Sequence, residues 1–190
     1  LDGINVDFES LDPSIGDSYI QFIRELSLKC ANNGIVLSVD NYPPTAYTAF
    51  YNRSEQAVFA DYVILMGYDE HYAGGEAGSV SSISYVENGI TDTLKYVPAS
   101  KTVCALPFYT RVWTESGNET SSSALGIQGA KQWIEDNQVE LYWQEELGQY
   151  YGSIQKDDAE KEIWMEEETS LGLKMNLISK YQLAGAAFWK

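Results

Sequence analysis

The feature that most constrains this chain is a rhythm: short apolar, strand-like runs recur, and each is followed by a stretch with apolar residues at helical spacing. Strands alternating with helices build repeated βα units around a parallel sheet. The first run is Gly3 to Phe8, followed by the turn Asp12-Pro13 and by Tyr19, Ile20, Phe22, Ile23 and Leu26 at helical spacing. Asn32-Asn33-Gly34 closes that helix as a C-cap. Ile35 to Val39, Tyr62 to Met66, Thr102 to Leu106 and Ala186 to Trp189 are the later strands. Helices are expected over Ala46 to Phe59, Tyr85 to Tyr96 and Glu167 to Tyr181. Trp113 to Lys161 breaks the rhythm with a polar stretch, Ser116 to Ser123, a helix from Ala124 to Asp136, and short strands near 141–143, 149–151 and 162–164. An irregular segment of that length is usually functional or a subdomain. It reads as an α+β insertion after the fourth of these strands, with no internal repeat or low-complexity tract.

Composition narrows the chemistry. The 190 residues are 44% hydrophobic and 13% aromatic, enough for a packed core, and carry a formal charge of -16. Such a surface repels a polyanion, so nucleic acid is excluded as a partner. The acidic blocks Glu145-Glu146, Asp157-Asp158 and Glu166-Glu167-Glu168 read as solvated surface, with a calcium site as the alternative. Cys30 and Cys104 lie on different kinds of element without CxxC spacing, and are expected to be small buried thiols. No run of about 18 apolar residues is present to span a membrane. The chain opens on Leu1 and closes on Trp189-Lys190 after an apolar run, so it is expected to be a piece of something longer.

The most informative segment is Asp2-Gly3-Ile4-Asn5-Val6-Asp7-Phe8-Glu9. On a strand, Asn5, Asp7 and Glu9 share one face while Ile4, Val6 and Phe8 share the other. Both faces of a parallel sheet are normally buried, so carboxylates there are costly unless something offsets them. An edge strand with one solvated face is the plainer account. Carboxylates about 6.6 Å apart, from a rise of about 3.3 Å per residue, raise each other's proton affinity in a desolvated site, and a protonated acid can act as general acid. Glu9, nearer the carboxyl end of the strand where active sites of parallel α/β folds gather, is the better candidate, with Asp7 as its electrostatic partner. Other strand ends carry Gly67-Tyr68-Asp69-Glu70-His71-Tyr72, Pro107-Phe108-Tyr109-Thr110-Arg111-Val112-Trp113 and Phe188-Trp189. Aromatic rings grouped with acids and hydroxyls suit a sugar. His71, the only histidine, has no second histidine with which to build a zinc site and reads as a hydrogen-bond partner behind the site. No GxSxG elbow, GxGxxG or GxxxxGKS/T motif occurs, so neither a serine triad nor a nucleotide cofactor is indicated.

These residues resemble glycoside hydrolase family 18, the chitinase-type TIM barrels. Asp2 to Glu9 resembles the DGxDxDxE signature of the fourth barrel strand, Met66-Gly67-Tyr68-Asp69 the MxYD of the sixth, and Trp189 the tryptophan closing the eighth. The phrases PFYTRVW, IWMEEETS and LAGAAFW are similar to bacterial cell-wall and spore-cortex N-acetylglucosaminidases, often joined to LysM modules. Asn5 stands where the signature has its middle aspartate, a change that subgroup shares. The resemblance implies a partial (β/α)8 TIM barrel covering strands four to eight, with residues 1–112 holding strands four to seven, 113–161 the insertion, and 162–190 the last helix and eighth strand. It implies no cofactor and no metal. It further implies a substrate-assisted retaining mechanism: Glu9 as acid and base, Asp7 orienting the substrate acetamido group, Tyr68 donating to its carbonyl, and Asn5, Asp69, Tyr109 and Trp189 binding the sugar. The implied substrate is an N-acetylated glycan, chitin or peptidoglycan, met outside the cell at the wall or spore surface. The missing N-terminal half of the barrel would then precede Leu1, and the 190 residues alone are not required to be active. Two other readings stand beside this one: a carbohydrate-binding relative without turnover, and an unrelated α/β enzyme in which Asp7 and Glu9 hold a divalent cation.

Overall fold

In the computed structural model, which describes residues 1–190, the parallel strands are β1 (Gly3–Val6), β2 (Val36–Asn41), β3 (Tyr62–Met66) and β4 (Thr102–Pro107). An antiparallel set follows in the chain: β5 (Tyr109–Ser116), β6 (Glu119–Gly126), β7 (Tyr142–Gln144), β8 (Gln149–Lys156) and β9 (Ala159–Met165), before β10 (Gly185–Trp189). The helices are α1 (Gly16–Asn32), α2 (Arg53–Phe59), α3 (Ile83–Thr93), α4 (Ile127–Asn137) and α5 (Glu168–Lys180). One five-stranded sheet has the order β1-β2-β3-β4-β10 and the other β6-β5-β9-β8-β7. The chain divides into two compact units. The first comprises Leu1–Met66, Asn88–Ala105 and Ile178–Ala187; the second comprises Gly67–Glu87, Leu106–Leu177 and Phe188–Lys190.

In the first unit, the alternation of the strands sorts side chains between two environments. Val6, Leu37 and Val39 are buried together with Tyr19, Ile23 and Cys30 of α1, while Asn5, in register with Ser38, lies on the opposite face. The helix packs closely because Gly16 stands 2.9 Å, measured from where a Cβ would sit, from the carbonyl of Phe50. Asp12 accepts from the Ser14 amide at 2.8 Å to start the turn before α1, and Gly34 at φ +65 ends it. The outward Asn41 is buried but satisfied by a reciprocal amide pair with Gln56, at 2.6 and 3.2 Å. Both cysteines are buried and neither forms a disulfide.

Several elements depart from the sequence expectations. The pairing of β1 stops at Val6 rather than Phe8, although Phe8 still stacks on Phe22 at 5.5 Å. The helix expected over Ala46 to Phe59 is broken: a 3-10 turn, Ala49–Tyr51, precedes Asn52 at φ 48, whose side chain caps α2 by accepting from the Glu55 amide at 3.3 Å. Asparagine tolerates the left-handed region and caps well, so local polar chemistry overrides the apolar periodicity.

In the second unit, the polar stretch Ser116 to Ser123 is a hairpin rather than a loop. Gly117, at φ +61, turns β5 into β6, and β6 is an edge strand whose Thr120, Ser121 and Ser123 face water. The antiparallel sheet therefore starts at Tyr109 and ends at Met165, so bounds of 113 and 161 fall inside β5 and β9. Asp157-Asp158 forms the exposed turn between β8 and β9, with φ 56 and 58. The expectation that Glu166 is solvated is corrected: it is fully buried, accepts from Gln149 at 2.5 Å and Ser170 at 2.9 Å, and pairs with the equally buried Lys174. A buried charge persists only when paired in this way. Lys174→Met leaves Glu166 uncompensated and is expected to cost about 3–5 kcal/mol in urea unfolding, with the Glu166→Gln/Lys174→Met pair costing less than the single change.

Candidate active site

The candidate residues fall into two groups, one in each unit. In the first unit, the register of β1 on β2 sets Asn5 beside Ser38. The Asn5 amide nitrogen donates to Ser38 Oγ at 2.9 Å and to Asp40 Oδ1 at 2.8 Å. Asp7 and Glu9 follow just past the end of β1, both exposed, and Ser10 turns the chain away at φ 53. The Tyr42 hydroxyl donates to Glu9 Oε2 at 2.6 Å, and the Tyr51 hydroxyl donates to the Phe8 carbonyl at 3.1 Å. Glu9 is thus held on one carboxylate oxygen, and the backbone is held at the preceding residue.

Burial sets the electrostatics of this group, and neighbouring like charges add to it. Partial desolvation first, and the neighbouring Glu9 charge second, push the Asp7 carboxyl up from its ordinary value. Half-buried Asp40 is pushed up to about 6, chiefly by burial; the Asn5 hydrogen bond opposes this and the charges of Asp7 and Glu9 add to it. Burial and the bond to Glu9 push Tyr42 up to about 12, so its hydroxyl remains a donor across the neutral range. Ser38, Asp40 and Tyr42 were missed as site residues from sequence. The signal was there in Leu37-Ser38-Val39-Asp40, which alternates apolar and polar residues as the segment around Asn5 does.

In the second unit, the Tyr109 hydroxyl donates to Asp69 Oδ1 at 2.6 Å, and the Arg111 guanidinium lies 3.9 Å from the same oxygen. Asp69 sits at φ 56, a left-handed backbone in a non-glycine residue. Tyr68 meets Tyr109 edge-on at 6.3 Å between ring centroids, and its carbonyl accepts from the Tyr85 hydroxyl at 3.3 Å. Tyr109 is buried, and burial together with Asp69 holds its hydroxyl proton well above the usual range. A cleft of about 490 Å³ is lined by Asp69, Tyr109, Arg111, Leu125 and Trp189 among others, and Trp189 is 56% exposed. Sequence reasoning missed Arg111 as a lining residue. His71 stands apart from these groups: its Nδ1 lies 3.0 Å from the Glu76 carbonyl within its own loop. No group of three or more His, Cys, Asp or Glu is arranged to hold a metal ion, and no helix is long and apolar enough to cross a membrane.

Comparison with known proteins places these residues in context. The family model for glycosyl hydrolases family 18 matches residues 1–190. The cortical fragment-lytic enzyme of Bacillus subtilis is 29% identical over 197 residues, covering 98% of this chain and 46% of that protein. YdhD of Bacillus subtilis is 26% identical over 199 residues, covering 99% of this chain and 46% of that protein. The crystal structure of YdhD matches with a TM-score of 0.92 at 25% identity, over 99% of this chain and 64% of that one. A chitinase from Chromobacterium violaceum matches with a TM-score of 0.91 at 22% identity, over 100% of this chain and 61% of that one, a likeness of fold alone. The chain spans about half the length of the curated relatives it matches. These likenesses show a partial TIM-barrel-like α/β fold.

Folding raises the Asp40 midpoint from the ordinary 3.8 to about 6, so the carboxyl binds its proton more tightly in the folded chain. Its ionisation therefore costs stability fully above about pH 6, and the cost fades as pH falls from 6 to 3.8. Asp40→Asn is expected to raise the Tm at pH 8, with the gain shrinking toward zero at pH 4; a pH-independent difference would refute it.

Proposed function

The chain belongs to the glycosyl hydrolases of family 18, and from that premise we propose that the protein is a glycosidase cleaving β-linked N-acetylglucosamine glycans of cell wall or spore cortex, with Glu9 as acid and base. The observation that carries this reading is Glu9 itself, just past the carboxyl end of a parallel strand, held by Tyr42 at 2.6 Å and next but one to Asp7. Similarity to an enzyme named as lytic for cortical fragments favours cortex peptidoglycan over chitin as the substrate.

In the proposed reaction, Glu9 gives its proton to the glycosidic oxygen while the substrate's own 2-acetamido carbonyl oxygen attacks the anomeric carbon and the glycosidic bond breaks. This is the substrate-assisted route of the family, in which the second carboxylate is not a nucleophile. Asp7 accepts from the acetamido N–H, orienting the group, and its carboxylate stabilises the positive charge that develops on the oxazolinium ring. Tyr68 donates to the acetamido carbonyl, Trp189 stacks on the sugar face, and Asp69 and Tyr109 bind its hydroxyls. Asn5 supports Asp7. Glu9, now a carboxylate, takes a proton from water as that water opens the ring, so the anomeric configuration is retained.

By the same reading, the strands β1, β2, β3, β4 and β10 correspond to barrel strands four to eight, and the antiparallel sheet is an insertion between strand seven and the last helix. The protein acts at the wall or spore surface, where LysM modules in the parent chain would hold it on the glycan. Turnover of N-acetylated glycan by the intact protein tests the reading. Glu9→Gln is expected to lower kcat by about 10²–10⁴-fold, de-N-acetylated glycan is expected to resist cleavage, and a chelator is expected to change nothing. Undiminished activity in Glu9→Gln would refute the acid assignment. Glycan binding without turnover would favour a carbohydrate-binding role, and loss of activity on chelation would favour the cation reading.

A further inference from the structure

Glu9 stands where the regular structure of β1 has already ended. It is exposed, it lies three residues beyond the last paired position, Val6, and Ser10 turns the chain away at φ 53 directly after it. Ladder pairing therefore does not fix its place. A glutamate side chain has several rotatable bonds, and an acid works only when its carboxyl is within hydrogen-bond reach of the atom it protonates. Its Oε2 accepts from the Tyr42 hydroxyl at 2.6 Å, a short bond to a group that can carry charge. The backbone just before it is held by buried Tyr51, whose hydroxyl donates to the Phe8 carbonyl at 3.1 Å. The two tyrosine rings meet edge-on at 6.3 Å between centroids, and Tyr51 meets Tyr19 of α1 edge-on at 5.6 Å.

Both tyrosines come from the segment between β2 and α2, whose only regular structure is the 3-10 turn Ala49–Tyr51. Arg53, the first residue of α2, gives that segment its shape. It is 4% exposed, and its guanidinium donates to the Tyr42 carbonyl at 2.7 Å, to the Thr48 carbonyl at 3.0 Å and to Thr48 Oγ1 at 3.0 Å. None of the ion pairs of the chain includes it, so a buried cation is committed to neutral oxygens of one loop. On the other side of Tyr42, the Asn41 side chain is locked to Gln56 of α2. Tyr42 is thus tied to α2 at its own carbonyl and through the side chain before it, which makes its hydroxyl a donor in a fixed place.

We propose that Tyr42 is a positioning residue for the acid of the hydrolytic site: its hydroxyl selects the one Glu9 side-chain conformation from which the proton is delivered. This rests on the glycosidase reading above. A hydrogen bond to a charged group favours the bonded conformation by about 10–100-fold. Without it, Glu9 spreads over several conformations and only a fraction of the molecules is poised to react. Tyr42 acts through Glu9 and not on the substrate, so its loss lowers kcat and leaves KM in place.

The test measures the three-bond side-chain couplings of Glu9 by NMR in the intact protein and in Tyr42→Phe. It adds kcat and KM on N-acetylated glycan for both, and again with Glu9→Gln in each. One set of couplings is expected in the unaltered protein and averaged values in Tyr42→Phe. The same change is expected to lower kcat by about 10–100-fold, with KM within about 2-fold. With Glu9→Gln already present, the charge that the hydroxyl held is gone, and Tyr42→Phe is expected to change kcat by less than about 3-fold. Couplings that stay the same in Tyr42→Phe overturn the proposal, as do averaged couplings with an unchanged kcat. An equal fall in kcat with and without Glu9→Gln, or a rise in KM alone, places the action of Tyr42 elsewhere and overturns it too. Absence of turnover in the unaltered protein refutes the glycosidase reading instead, and the couplings still decide whether Tyr42 holds Glu9.

Discussion

Strands β1 and β2 of the parallel sheet serve two environments at once, and the rest of the first unit depends on that division. Side chains of Val6, Leu37 and Val39 go into a core shared with Tyr19 and Ile23 of α1, where burying each apolar side chain contributes roughly 1.5–3 kcal/mol. The same alternation forces Asn5, Ser38 and Asp40 to the other face. A polar row is therefore held in place by an apolar row one atom layer away. Slipping β1 by a single residue would exchange the two sets, driving carboxylates into the core, so the packing that stabilises the sheet also protects the placement of the acids.

Holding acids together is energetically adverse in a chain of charge -16, and the structure shows where that cost is met. Asp40 is offset by the Asn5 amide, Glu9 by the Tyr42 hydroxyl, and Asp69 by Tyr109 and Arg111. Neutral donors serve in the first unit and a guanidinium in the second. The backbone adds its own strain at both places, with Ser10 and Asp69 in the left-handed region directly beside candidate residues. Such conformations persist where surrounding contacts over-determine them, and they concentrate at functional sites.

The antiparallel sheet of the second unit obeys different rules. Val112, Ile163 and Met165 on one face pack against Ala130 and Trp133 of α4. The other face carries Trp113, fully buried with its indole nitrogen donating to the Gly78 carbonyl at 2.9 Å. The Gln149–Glu166–Lys174 network ties β8 and the end of β9 to α5 through polar contacts. Networks of this kind are sensitive to loss of any one member, which makes them specific rather than simply stabilising.

The sequence by itself determined the βα rhythm, the extent of β3 and β4 to within a residue, the burial of Cys30 and Cys104, and the grouping of acids and aromatics at strand ends. Those features are local: periodicity and strand alternation act within a few residues, and any chain with that pattern shows them. Tertiary structure alone decided that β1 stops at Val6, that Glu166 is buried against Lys174, and that β6 is a serine-rich edge strand. It also decided that Asp40 and Tyr42, more than thirty residues away in sequence, hold Asn5 and Glu9. Each of these depends on what a neighbouring element offers in space, a lysine eight residues on, a strand edge open to water, a register between two strands, and no spacing rule along one segment encodes a partner on another.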